Sequence, residues 1–261
     1  MSELLSDVMI HFLFSLSLGT ALYSWIADPK LTGAGFIRLT VGHGFIFFAL
    51  GILLGWLING SPNGLWLVLE TVLLVILAAQ WKMHPDKKTP SMWFLFALQV
   101  SLSLIVFNSY SGVGESVSPE RYSFILSSAL FLGVTHYAML LGHYYLVVPK
   151  LTEKPLLVSL NVFWILLVLK VIVSGYSTVN ASSFLAEGTM EGDGYTFNWL
   201  IISMRWLWGY GALAVLSWFA WRLCRMRSIQ SATGVLYIMV FFVFVGELLS
   251  TYLFFKHGLM I

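Results

Sequence analysis

Eight long apolar runs decide what this chain can fold into. Each run has about 20 residues or slightly more, the length that an α-helix needs to cross the hydrocarbon core of a bilayer. The runs are continuously apolar and do not alternate with polar residues, which excludes a transmembrane β-barrel. The sequence therefore predicts an all-α bundle of eight transmembrane helices in one domain over residues 1–261, with spans at about 8–27, 37–59, 63–81, 91–109, 122–148, 155–176, 195–221 and 231–255.

The composition supports an integral membrane protein and excludes several classes of function. Charged residues make up only 10% of the chain and hydrophobic residues 59%, whereas soluble domains carry about 25% charged residues. The single cysteine, Cys224, excludes an internal disulfide, an iron–sulfur cluster held by this chain and a covalently attached c-type haem. The chain has no basic tract of the kind that indicates binding to nucleic acid.

The basic residues between the runs predict the orientation of the bundle. When the connections are numbered alternately, ten lysines and arginines fall on one side and two on the other, Arg121 and Lys256. Lysine and arginine concentrate in cytoplasmic loops. We therefore expect a multi-pass protein of the inner (cytoplasmic) membrane, with both termini on the extracytoplasmic side.

Two histidines beside glycines predict a haem site. His43 in the second predicted helix and His143 in the fifth lie at nearly equal depth, roughly 10 Å inside the cytoplasmic ends of their helices. Two histidines from different helices at one depth are what bis-imidazole ligation of a b-type haem iron requires. The neighbouring Gly42, Gly44 and Gly142 would leave room for a flat macrocycle. The alternative is that each imidazole hydrogen-bonds to a neighbouring helix.

A third histidine, His136, lies near the predicted centre of the bilayer on the same helix face as His143. No other histidine has a matching depth in the predicted spans, so ligation of a second haem lacks a partner. Hydrogen bonding to a quinone carbonyl or to another helix is the better explanation of His136.

Four charged residues fall inside the predicted spans toward the extracytoplasmic side. They lie roughly 9–15 Å deep and are Glu70, Lys170, Arg205 and Glu247. Two acids and two bases at one depth neutralise one another, which a hydrocarbon setting nearly demands. One interpretation is a structural ion-pair network. The other is a proton-handling pocket, in which Glu247 takes a proton from a bound quinol and Lys170 or Arg205 tunes its pKa.

The C-terminal segment resembles a known family. Val245-Gly-Glu-Leu-Leu249, followed by Phe254-Phe-Lys-His-Gly258 and Met260, is similar to the last helix of the membrane anchor subunit of dimethyl sulfoxide reductase. Together with the NrfD-like and polysulfide reductase anchors, that subunit belongs to a family of eight-helix quinone-binding subunits of molybdenum/iron–sulfur oxidoreductases. The resemblance implies a quinone-site role for Glu247. It does not account for His43, His136 and His143, since those anchors are typically haem-free.

The sequence thus favours an electron-transfer subunit that binds quinone or quinol, carries haem b and exchanges electrons with a partner. Because the chain lacks cysteine clusters, the partner would be an iron–sulfur, molybdenum or cytochrome subunit. A first alternative is a proton-coupled transporter of a small solute or ion, which an interruption of the seventh helix at Gly209-Tyr-Gly211 would suit. A second is a non-catalytic membrane anchor or assembly subunit.

Overall fold

The computed structural model describes residues 2–60, 64–82, 98–103, 105–106, 119–148 and 151–261. All regular secondary structure within these ranges is helical. The helices are α1 (Ser2–Ile26), the short α2 (Pro29–Thr32), α3 (Ala34–Asn59), α4 (Leu65–Lys82), α5 (Pro119–Val147), α6 (Lys154–Asn180), α7 (Tyr195–Trp206), α8 (Leu213–Arg225) and α9 (Ile229–His257), with a π-helix over Leu207–Ala212 between α7 and α8.

Seven helical segments in the described residues are long and apolar enough to cross a membrane. They correspond to seven of the eight predicted spans, and α7, the π-helix and α8 together form one of them, Tyr195–Arg225. Most of the fourth predicted span, 91–109, lies outside the described residues. Its described parts, 98–103 and 105–106, are helical. The regular structure of the described residues is therefore all-helical, as predicted, and seven of its helical segments are compatible with a multi-pass membrane protein. The count of eight spans stays a prediction.

Two helices form the centre of the bundle. In α1 and α5, 72% and 78% of the most apolar window is buried, against 39% or less in the other five spans. α1 packs against α3, α5 and α9, whereas α4 packs on the outside of α3. Gly19 and Gly133 let α1 and α5 approach closely, since a Cβ added at Gly19 would lie 1.8 Å from the carbonyl oxygen of Ala129. Such small residues are what closely packed membrane helices use at their contacts.

The π-helix lies where the sequence predicts an interruption of the seventh span. A single turn of π-helix inside an α-helix adds a residue to the turn and is often found at functional sites. Here Gly209 of this turn faces Gly246 of α9, and a Cβ added at Gly246 would lie 2.8 Å from the Cα of Gly209. This glycine contact brings the backbones of the two helices together next to Arg205 and Glu247.

The connection between α6 and α7 is held in place by polar contacts. Asn198 donates hydrogen bonds to the carbonyl oxygens of Phe184 (2.8 Å) and Glu191 (3.0 Å). Lys256 near the end of α9 forms an ion pair with Asp193, and this hydrogen bond lowers the pKa of the Asp193 carboxyl group. The end of α6, the beginning of α7 and the end of α9 therefore lie at the same end of the bundle.

Candidate functional site

Three of the four charged residues singled out in the sequence meet in the core of the bundle. Lys170 of α6 donates to both carboxylate oxygens of Glu247 of α9, at 2.8 Å to Oε1 and 2.6 Å to Oε2. Arg205 of α7 binds the same carboxylate, with 3.0 Å between its Nη2 and Oε1. Lys170, Arg205 and Glu247 are 7%, 1% and 0% exposed. They form a buried charge cluster that joins three helices.

The charge cluster lies at one depth. Lys170 is ten residues before the end of α6 at Asn180, Arg205 is ten residues after the start of α7 at Tyr195, and Glu247 is ten residues before the end of α9 at His257. A rise of 1.5 Å per residue places all three about 15 Å from these helix ends. Since the three ends lie at the same end of the bundle, this common depth explains how residues far apart in sequence meet.

Hydroxyl groups complete the cluster. Lys170 also donates to Ser128 of α5 over 3.1 Å. Arg205 Nη2 donates to the Tyr210 hydroxyl over 2.7 Å, and that hydroxyl lies 2.5 Å from Ser174 Oγ. Arg205 is the penultimate residue of α7 and Tyr210 lies in the π-helical turn that follows, so this contact bridges the junction between the two helices.

The cluster has a net positive charge and hydrogen-bond donors without an acceptor. Two cations and one carboxylate give a formal charge of +1. Within the described residues, Arg205 Nε and Nη1 have no hydrogen-bond acceptor. Burying a guanidinium with unpaired donors costs free energy, and a ligand oxygen that accepts hydrogen bonds from them would recover it. The net positive charge also favours such a ligand.

An apolar cavity of about 370 Å³ leads to this cluster from the outer surface of the bundle. It opens between α5 and α6, where its walls include Leu126, Leu169 and Val173, which are 38%, 54% and 53% exposed. Lys170 and Arg205 are part of its lining. Glu247 does not line the cavity. Its carboxylate lies behind Lys170 and Arg205, which separate it from the cavity.

Glu70, the fourth predicted member, lies in a different part of the bundle. It is buried in α4, and the indole nitrogen of Trp56 in α3 donates to its Oε2 over 2.9 Å. The matched depth of four charges in the sequence therefore identified three that meet and one that stabilises the contact between α3 and α4. Depth along the chain cannot distinguish the two cases, because it carries no information about which helices are neighbours.

The structure pairs the histidines differently from the sequence-based hypothesis. The ring of His43 lies beside that of His136, with 5.5 Å between the ring centres. His143 instead lies at the surface of the bundle, where its Nδ1 is 2.8 Å from the Tyr237 hydroxyl. α3 begins at Ala34, three residues before the predicted start at 37. His43 therefore lies nine residues from the start of α3. His136 lies eleven residues from the end of α5, which is a similar depth, whereas His143 lies only four residues from that end.

The glycines next to these histidines pack against other helices. A Cβ at Gly42 would meet Trp81 at 3.0 Å, one at Gly44 would meet the carbonyl oxygen of Ser17 at 3.4 Å, and one at Gly142 would meet Thr233 at 2.9 Å. The space expected for a flat macrocycle is therefore occupied by neighbouring side chains and backbone. The residues beside His43 and His143 do not fit a haem in this arrangement, and haem binding stays a prediction without structural support.

Sequence reasoning missed three hydroxyl groups of the cluster, those of Ser128, Ser174 and Tyr210. Serines are common at contacts between membrane helices, so nothing in the sequence distinguishes these two. Tyr210 had a signal, because it lies between two glycines at the predicted interruption and five residues after a buried arginine.

Comparison of the chain with protein-family models, curated proteins and solved structures finds no match. The resemblance of the C-terminal segment to the dimethyl sulfoxide reductase anchor therefore stays a prediction.

Proposed function

We propose that this chain is the quinone- or quinol-binding membrane subunit of a respiratory-type oxidoreductase complex. In this proposal it spans the cytoplasmic membrane with eight helices, has both termini on the extracytoplasmic side, and exchanges electrons with a partner subunit. The observation that carries the proposal is the cavity between α5 and α6, which opens on the outer surface of the bundle and has Lys170 and Arg205 in its lining.

The shape and the chemistry of the cavity suit a quinone. A quinone has an isoprenoid tail that is soluble in the bilayer and a flat head with two carbonyl oxygens that accept hydrogen bonds. The volume of about 370 Å³ lies in the range of small-molecule sites, and its exposed walls are apolar. Lys170 and Arg205 bring two positive charges to the cavity about 15 Å from the helix ends, near the middle of a hydrocarbon core about 30 Å thick. Among the described residues, Arg205 also has two donor nitrogens without an acceptor. A phospholipid headgroup would not enter to that depth.

The charge cluster can stabilise the reduced states of such a ligand. When a quinone gains electrons, negative charge develops on its oxygens, and the formal +1 charge beside the cavity favours this change. Oxidation of one quinol releases two electrons and two protons. The electrons leave for an iron–sulfur, molybdenum or cytochrome centre of the partner, because this chain has one cysteine. Lys170 passes a proton to Glu247 and then takes one from the first quinol hydroxyl. The second proton follows the same route after Glu247 has released the first proton to water.

Binding of short-chain quinones to the purified chain tests this proposal. We expect saturable binding of benzoquinone or naphthoquinone analogues in equilibrium dialysis. Replacing Lys170 with methionine removes a charged donor while the Arg205–Glu247 pair remains, and should weaken binding about 10- to 100-fold. Arg222→Gln, which changes an exposed arginine in α8 that stacks on Trp218, is the matched control and should bind like the wild type. Absence of binding in the folded wild-type chain would refute the proposal.

A proton-coupled transporter is the second candidate, and the π-helix beside the cluster favours it, since transporters place interrupted helices near the bilayer midplane. Solute or proton flux in proteoliposomes that contain this chain alone, without a redox donor, would support that reading. If the chain is instead an assembly subunit, Glu247→Gln and His143→Ala should lower the yield of the complex and leave turnover per assembled complex unchanged.

A further inference from the structure

His136 is a buried polar side chain that the proposed quinone site does not use. It is 5% exposed, and neither of its ring nitrogens has a hydrogen-bond partner among the described residues. A buried imidazole without partners loses its hydration and gains nothing in return. In native proteins such a group usually has a role or binds a water or an ion.

One ring nitrogen of the neighbouring His43 is hydrogen-bonded within its own helix. Its Nδ1 lies 2.9 Å from the carbonyl oxygen of Leu39 one turn earlier in α3. A carbonyl only accepts, so Nδ1 carries the hydrogen and Nε2 carries the lone pair. The same arrangement fixes the tautomer and the ring orientation of histidines that bind metals. The rings of His43 and His136 are 5.5 Å apart between centres and share no hydrogen bond.

We propose that His43 and His136 bind one Cu(I) ion between them. In a linear two-coordinate complex with metal–nitrogen bonds of about 2 Å, the two nitrogens are about 4 Å apart, and ring centres 5.5 Å apart allow nitrogens at that distance. Cu(I) is stable with two ligands, whereas zinc takes four. Among the described residues no group of three or more His, Cys, Asp or Glu side chains is placed to hold a metal.

Charge also selects a monovalent ion. Two neutral imidazoles leave the full charge of the ion uncompensated, and charge in the membrane interior is expensive. The Born energy of a buried ion grows with the square of its charge, so a divalent ion costs about four times as much as Cu(I). Bare Zn²⁺ and Fe²⁺ are disfavoured for this reason.

Copper loading of the purified full chain tests the inference. The protein is loaded with Cu(I) under oxygen-free, reducing conditions, desalted and analysed for copper by mass spectrometry, with affinity measured against a chromophoric Cu(I) chelator. We expect one copper per chain in the wild type. His43→Gln and His136→Gln should lower the affinity about 100-fold or more. His143→Gln, on the same face of α5 but bonded to Tyr237, is the matched control and should retain copper.

A second measurement does not depend on the folding of any variant. X-ray absorption of the copper-loaded wild type should show two nitrogen ligands. Sulfur ligation, four-coordinate copper, no retained copper, or equal retention in all four proteins would overturn the proposal. A b-type haem α-band in the reduced-minus-oxidised spectrum that disappears in His136→Gln would also overturn it, because haem iron would then be the metal.

Discussion

Replacing Glu247 with glutamine tests the charge balance on which the buried cluster rests. The carboxylate binds Lys170 through both oxygens, at 2.6 and 2.8 Å, and Arg205 at 3.0 Å. Removing one partner of a buried ion pair costs about 3–5 kcal/mol, because the other charge stays buried and unpaired. Glu247→Gln leaves two such cations, so the free energy of unfolding should fall by at least about this amount.

Replacing Lys170 with methionine should cost much less. The remaining Arg205–Glu247 pair is neutral overall, and methionine is apolar and has a comparable length. The main loss is the hydrogen bonding between Lys170 and Glu247, and a hydrogen bond to a charged group contributes about 1.5–3 kcal/mol. In the double variant Lys170→Met/Glu247→Gln only one cation is left without its carboxylate, so the double variant should be more stable than the sum of the two changes predicts, by about 0.5–3 kcal/mol.

Reversible unfolding in mixed micelles of dodecyl maltoside and dodecyl sulfate, followed by loss of helicity, measures these differences. The control Arg222→Gln changes an exposed side chain and should stay within about 0.5 kcal/mol of the wild type. The reasoning would be refuted if Lys170→Met cost as much as Glu247→Gln, or if the effects of the two substitutions were simply additive.

Two further predictions concern the bundle and its loop. Gly133→Ala places a Cβ 2.3 Å from the backbone of Gly19 and should destabilise the fold by about 1–3 kcal/mol in the same assay, while Gly234→Ala, which meets no described atom within 4 Å, should be tolerated. The contact of Asp193 with Lys256 should be intact above the ordinary carboxyl pKa of about 4 and disappear as the pH falls through the lowered pKa of Asp193. Hydrogen exchange in residues 181–194, corrected for the intrinsic effect of pH, should rise over that window, and a rise of equal size in Asp193→Asn would contradict this.

The sequence predicted the helices well because long, continuously apolar runs mark them clearly. The observed limits of the seven described spans lie within a few residues of the predicted ones. Small errors at the ends still mattered. Three extra residues at the start of α3 moved His43 from the depth of His143 to that of His136, since each residue adds about 1.5 Å along the helix.

The depth of the site residues could be predicted from the sequence, but which helices pack together could not. Position along the helices correctly set Lys170, Arg205 and Glu247 at one level, yet it included Glu70, whose carboxylate is bonded to Trp56. Which helices pack together depends on local surface features such as the contact of Gly209 with Gly246. The sequence indicated an interruption at Gly209-Tyr-Gly211 but not which helix would pack against it.

Crosslinking with a photoreactive azidoquinone tests the central claim most directly. After illumination of the purified chain, the proposal predicts that the label is found on peptides that line the cavity, residues 123–130 and 166–174, and that an excess of unlabelled quinone prevents it. Label that persists in the presence of unlabelled quinone, or that is found on α3 and α4 instead, would contradict a quinone site at the buried charge cluster.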